Sequence, residues 1–436
     1  MSHDYHRLPS DAFDELAAGG GSPAVIDLLR RAQHSKHLLL LHGIAAAETP
    51  GAGTRAAYDL LARAQRADPD TVAAVIRHPS VGAWAHHTML ALRYGPRPLG
   101  ATPDGLAAVA AAATIRVGLR AEIDVPAHDG LLVLPSLGAA ELSAVGMHAT
   151  VRIARSHTEV RTPHAAVTIP ADYRQPAPGW RPLRRVLPPD TAPFDVVVDD
   201  VDPFRMPAAL HLAAAPDLSR WRPAFADAWT LLQRHHPAVA AEVAAVITVA
   251  VPLAIPARGQ VSSSSSETFG AIAMSEPVDG RSLAVTLTHE VQHMKLSAVL
   301  DLIPLTRSDD GSRYYAPWRD DPRPASGLLQ GAYAYLGVTG FWRRQRVVTE
   351  TASAMSVADA EFARWRDAAA LVTGTLLSSG QLTADGERFV RVMAATLRAW
   401  RDEPVPAQAR RLAHEQSARH MVRWQDSHGP IPDSKP

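Results

Sequence analysis

The chain has 436 residues, 47% of them hydrophobic and 20% charged, which is ordinary for folded domains and excludes wholesale disorder. Lys+Arg and Asp+Glu balance at 44 each, so no bulk field draws nucleic acid or an anionic membrane to the protein. The absence of cysteine excludes disulfides, thiolate zinc sites, cysteine-ligated clusters and cysteine nucleophiles, and it suits a reducing compartment.

Met1-Ser2-His3-Asp4-Tyr5-His6 is polar with no apolar core behind it, so the reading is a cytoplasmic protein without a signal sequence. Residues 11–18 form a short candidate helix. Gly19-Gly20-Gly21-Ser22-Pro23 follows, in which Ser22 can cap and Pro23 can open the next helix. Apolar residues then recur at helical spacing through residues 24–47, 54–67, 70–77, 83–94 and 105–119. Near Ile123 the pattern changes. Residues 129–135, 149–154, 159–161 and 165–169 read as strands, and residues 170–193, with Pro176, Pro178, Pro182, Pro188 and Pro189, as an extended surface connection. Residues 194–198 read as a buried strand.

Residues 221–236 and 238–251 return to helical patterning. The longest apolar stretch, residues 238–257, is broken by Glu242, Pro252 and Pro256 and reads as buried core, not a bilayer span. Ser262 to Ser266 is a five-serine run, either a flexible loop or a substrate contact. Residues 268–275 look like a strand leading to a helix capped by Asp279 or Ser282 and stopped by Pro304. The expected fold is predominantly α with a smaller β-containing middle region. It divides into a helical region 1–122, a β-containing region 123–215, a helical core 216–425 carrying a metal site, and a polar tail 426–436.

The core helix carries Thr288-His289-Glu290-Val291-Gln292-His293. Residues four apart on a helix have Cβ atoms roughly 6 Å apart on one face, so His289 and His293 can aim nitrogens at one divalent ion. Leu283, Leu287, Val291 and Met294 supply the opposite, core-facing stripe. Two imidazoles leave an ion under-coordinated, and a third protein group plus water or substrate must complete the shell. His86-His87 and His235-His236 are adjacent pairs whose members point about 100° apart, so surface or capping roles suit them better. Arg343, Arg344 and Arg346 read as a solvated helix face.

Residues 315–324, with Trp318, Arg319, Asp320, Asp321 and Arg323, are too proline-rich for a helix. They suit either a binding surface or a loop stapled by Arg–Asp pairs. Ser326 can cap the helix that follows, and Gly327, Gly331, Ala334 and Gly337 would let it lie close to another helix, the metal helix being the natural partner. Gln330, the lone amide in that run, either faces the ion or hydrogen-bonds backbone.

The run from His289 to Leu305, together with Trp318-Arg319-Asp320-Asp321-Pro322-Arg323-Pro324, Gly327-Leu328-Leu329-Gln330-Gly331 and Phe341-Trp342-Arg343, resembles an actinobacterial family of HExxH-motif proteins. Leu16-Ala17-Ala18-Gly19-Gly20-Gly21 and Asp200-Val201-Asp202-Pro203-Phe204-Arg205 share the likeness less distinctively. That family is associated with radical-enzyme clusters that modify ribosomally made peptides, and its members are understood as iron(II)- and 2-oxoglutarate-dependent peptide β-hydroxylases. The resemblance implies iron ligation by His289 and His293, with Gln330 at a position where relatives carry histidine. It also implies that Glu290 ligates iron or orients a ligand, and that the substrate is a ribosomal precursor peptide also handled by a radical peptide-modifying enzyme. Such an oxygenase needs a cation for the distal carboxylate of 2-oxoglutarate, and Arg323, with Arg319 as the alternative, fits by bidentate pairing. Two other readings stand beside it. One is a zinc metallopeptidase with Glu290 as general base and Glu350 or Asp301 as third ligand. The other is a catalytically idle module that only presents a peptide.

Overall fold

The computed structural model describes residues 6–47, 51–96, 100–142, 148–154, 157–187, 194–207, 210–213, 215–256 and 259–430. The polar N-terminal run before His6, Pro188 and Pro189, and the end of the polar tail lie outside the described residues. Helix dominates, with small sheets in the middle of the chain. The chain divides into two compact units, residues 1–29, 223–246 and 277–436 forming one, and residues 30–222 and 247–276 the other.

In chain order the helices before the first strand are α1 (Ser10–Ala17), α2 (Pro23–Ala45), α3 (Ala52–Ala67), α4 (Pro69–Ile76), α5 (Pro79–Tyr94) and α6 (Leu106–Val117). Each matches a stretch of helical periodicity within a few residues. Asp68 caps α4 by accepting a hydrogen bond from Thr71 N, and Gly118 ends α6 in the left-handed conformation that a residue lacking Cβ adopts without strain. The strands are β1 (Ala121–Pro126), β2 (Leu131–Leu134), β3 (Gly138–Glu141), β4 (His148–Ile153), β5 (Thr158–Arg161), β6 (Ala166–Ile169), β7 (Trp180–Pro182), β8 (Arg184–Arg185) and β9 (Val197–Val198). After them come α7 (Leu218–His235), α8 (Pro237–Val246), β10 (Val249–Pro252), β11 (Ser262–Ser263) and β12 (Ala271–Met274).

Three sheets form within the second unit. One has the antiparallel order β1-β4-β5-β6, one the antiparallel order β2-β3-β7, and the third the order β11-β12-β10-β9-β8, with β10 parallel to β9 and β12. The alanine-rich α6 packs on α3 and β1, so its short side chains bring helix and sheet together in one core with Trp84 and Trp180. Residues 170–193 are therefore not wholly a surface connection, because Trp180 is fully buried and Trp180–Pro182 pairs with β3. Residues 247–251 end in a strand, not a helix. A continuous apolar run buried on both faces suits a central parallel strand as well as a core helix, and length alone does not separate them. Two of the five serines form the edge strand β11.

The first unit is helical. After α7 and α8 it contains α9 (Gly280–Leu300), α10 (Ala325–Val348), α11 (Ala352–Ser378), α12 (Ala384–Arg401) and α13 (Ala407–His428). α10 packs on both α9 and α11, and α11 on α12 and α13. α1 closes over α12 with Phe13 edge-on to Phe389 at 5.4 Å. No helix among the described residues is long and apolar enough to cross a membrane.

Candidate metal centre

α9 begins where the sequence indicates. Asp279 is the N-cap, accepting from Ser282 N at 2.7 Å, while Ser282 Oγ donates to its other oxygen at 3.1 Å. The helix ends at Leu300, before Pro304. Leu283, Leu287, Val291 and Met294 are buried, whereas Ser282, Thr286, His289, His293 and Ser297 form a half-exposed polar line at three- and four-residue steps. The two histidines thus stand on the half-exposed line of α9.

The buried back of α9 holds an ion pair that the sequence reading missed. Lys295 is 0% exposed, and its Nζ lies 2.6 Å from Glu242 Oε2 on α8. The same ammonium donates to Gly19 O at 3.1 Å and Gly20 O at 3.0 Å, and Gln292 Nε2 donates to Gly19 O at 3.0 Å. Burial raises the Glu242 pKa and lowers that of Lys295, each opposed by the partner's charge. A Cβ at Gly21 would sit 2.9 Å from Glu242 Oε1, so glycine there admits the carboxylate. Tyr333 OH completes the clamp by donating to Leu16 O at 2.7 Å. Thus Gly19 and Gly20 present carbonyls that hold the histidine helix in place. A lysine on the apolar side of a patterned helix was the available signal, since such a charge needs a partner.

On the exposed line, His293 Nε2 and His289 Nε2 approach to 3.0 Å, with their rings near perpendicular at 75°. His293 Nδ1 faces Gln330 Oε1 at 3.0 Å, and Gln330 Nε2 reaches Ser297 Oγ at 3.5 Å, which sets the amide with its oxygen towards the imidazole. An amide oxygen can only accept, so His293 Nδ1 carries a proton and donates to it. Gln330 bonds side chains, not backbone, and meets the His293 ring at the nitrogen away from His289. Burial, and then the charge of His293, lowers the His289 pKa to about 3, so that imidazole is neutral and able to ligate. Among the described residues no third His, Asp or Glu joins the pair, Glu350 and Asp301 included.

An aromatic wall flanks the histidines. Tyr335 stands edge-on to His289 with ring centroids 5.2 Å apart, Trp318 stacks on Tyr335 at 4.7 Å, and Trp365 of α11 approaches it at 4.3 Å. All three rings are half-buried. The Trp318 indole lies against Gly331, where a Cβ would stand 2.3 Å from Nε1. Glu290 is buried, and its charge, after burial and the effects of Arg364 and Glu361, helps push the Tyr335 phenol up to about 12.

The loop before α10 closes through paired backbone bonds between Tyr314 and Arg323. Asp321 sits between two guanidiniums, 2.8 Å from Arg319 Nε and 2.9 Å from Arg323 Nη1. The Arg–Asp staple is therefore present. α10 starts at Ala325 with Pro324 at the cap position and no side-chain cap, so Ser326 does not cap it. Of the small residues on α10, Gly337 makes room for Gln292 of α9, while Gly331 and Gly327 accommodate Trp318 and Arg323 of the loop.

Other expectations change. His236 is buried, stacked on Phe341 at 4.2 Å and paired with Gln345 at 3.1 Å, so it packs rather than lying at the surface. His87 pairs with Glu267 at 3.0 Å. Arg343 and Arg346 are not merely solvated: Arg343 pairs with Glu403, and Arg346 binds Asp359 at 2.8 Å across α10 and α11.

Comparison of the sequence with protein-family models and with curated proteins gives no match.

Proposed function

We propose that the protein is an iron(II)- and 2-oxoglutarate-dependent oxygenase that β-hydroxylates a residue of a ribosomally made precursor peptide. The observation that carries this reading is the 3.0 Å approach of two Nε2 atoms on the open face of α9. Nitrogens about 2.1 Å from one ion stand about 3.0 Å apart at a right angle and about 3.4 Å apart at a tetrahedral angle. The same 3.0 Å is a hydrogen-bond distance between the two rings, and it brings both nitrogens within reach of one divalent ion. The donor set fits too, since imidazole nitrogens are ordinary ligands of iron(II). Gln330 acts here as a positioning residue that fixes the His293 tautomer. Glu290 is buried, and the family resemblance implies that it ligates iron or orients a ligand.

Bound iron(II), with 2-oxoglutarate and dioxygen, supplies the oxidation that converts a C–H bond to C–OH while the cosubstrate loses carbon dioxide. Arg319 and Arg323 share one carboxylate between two guanidiniums, which leaves one positive charge for a second anion such as the distal carboxylate of 2-oxoglutarate. Trp318, Tyr335 and Trp365 give a peptide an apolar wall beside the histidines. A cysteine-free chain suits the cytoplasm, where precursor peptides and radical enzymes that modify them meet.

The test uses protein loaded anaerobically with iron(II) and a candidate ribosomal precursor peptide. The expected result is peptide gaining one oxygen atom, with 2-oxoglutarate consumed in step. Zinc-supported cleavage of the peptide without 2-oxoglutarate would establish the peptidase instead. Peptide binding with no stoichiometric metal would establish the idle module.

A further inference from the structure

The second unit contains a cavity of about 210 Å³ with no part in the chemistry above. For scale, a dry apolar cavity of roughly 150 Å³ holds benzene. Trp84, Val133 and Phe204 supply apolar walls, and Ser80, Asp202 and Arg205 line a polar end.

The buried polar groups of the lining satisfy one another, with one exception. The Trp84 indole N–H donates to Thr102 O at 3.1 Å. Asp202 Oδ1 accepts from Phe204 N at 2.8 Å, and Ser80 hydrogen-bonds the same carboxyl group. The exception is Arg205. It spends one N–H on Asp202 O at 2.5 Å, while its Nε is buried with no partner. No carboxylate pairs with this guanidinium among the described residues. The lining therefore offers an arginine with donors to spare and holds no acceptor for them. A buried donor without an acceptor carries a desolvation cost that an incoming acceptor relieves.

We propose that this cavity binds a small neutral molecule that carries a carbonyl oxygen on an apolar body the size of an aromatic ring. The oxygen accepts from the Arg205 guanidinium, and the apolar walls take the ring. A carboxylate suits the site less well. Asp202 lines the cavity, and Asp199 accepts from Asp202 N at 2.9 Å, so two acids already stand near the one guanidinium. The exposed Asp129 adds a third acid to the lining. The proposal is independent of the metal centre.

Calorimetric titration of the full chain with acetophenone tests it. Ethylbenzene serves as the ligand of like shape without the oxygen, and benzoate as the anion. One acetophenone should bind per chain, at least about tenfold tighter than either control. Arg205→Met keeps an apolar stem and removes the donors. It should lower acetophenone to the affinity of ethylbenzene and leave ethylbenzene itself within about twofold. Val133→Phe, which fills the cavity, should abolish binding of both. The proposal is overturned by equal affinity for ethylbenzene, by tighter binding of benzoate, or by no saturable binding of acetophenone. Unchanged acetophenone binding in Arg205→Met or Val133→Phe also overturns it. If Arg205→Met fails to fold, the three ligands on the native chain and Val133→Phe decide.

Discussion

At the residue scale, Gln330 and Lys295 position the histidine pair of the candidate site. Gln330 holds the His293 ring by its far nitrogen. Loss of such a partner typically weakens metal affinity by about 10–100-fold. Gln330→Ala should show that loss by competition with a chelator, with an unchanged circular dichroism spectrum. Undiminished affinity would mean the amide does not orient the ring. Lys295 anchors the same helix from behind, and removing one member of a buried pair leaves the other charge uncompensated. Lys295→Met should cost about 3–5 kcal/mol in chemical denaturation, and a loss below about 1 kcal/mol would show that Glu242 simply takes up a proton at little cost.

At the element scale, α10 is shaped by where it lacks side chains. Gly331 lets the Trp318 indole lie on the helix and stack on Tyr335. Gly331→Ala should push Trp318 outward, seen as a red-shifted tryptophan emission, while helix content stays constant. An unshifted spectrum would show that the loop accommodates a methyl group. The α9 boundaries and its two faces were legible because Asp279, Pro304 and the leucine stripe are local signals. The pairing of the histidines followed from spacing alone. The choice for Gln330 was not legible, since it depends on a ring contributed by another helix. Nor was the clamp of Gly19 and Gly20 on Lys295, which joins residues some 275 positions apart. The short strands β3, β7 and β8 escaped the sequence for a related reason. Pairing stabilises them, and runs of two to four residues carry too little periodicity to read.

At the scale of the whole molecule, each compact unit gathers distant stretches of chain, and a chain that leaves a unit and returns gives no local mark of doing so. Within the second unit, pH acts on Asp202. Asp202 titrates near 7 when folded and near 4 when unfolded, so between those values the folded state binds more protons. Its contribution to stability is therefore lost as pH rises from about 4 to about 7, by an amount on the order of a few kcal/mol. Asp202→Asn should flatten that part of the stability profile, and an unchanged slope would place the titration elsewhere. The central claim concerns His289 and His293. Anaerobic iron(II) titration by calorimetry, on the native chain and on His289→Ala and His293→Ala, tests it most directly. One ion should bind per native chain and none to either folded variant; retention of full occupancy in either variant would contradict the assignment.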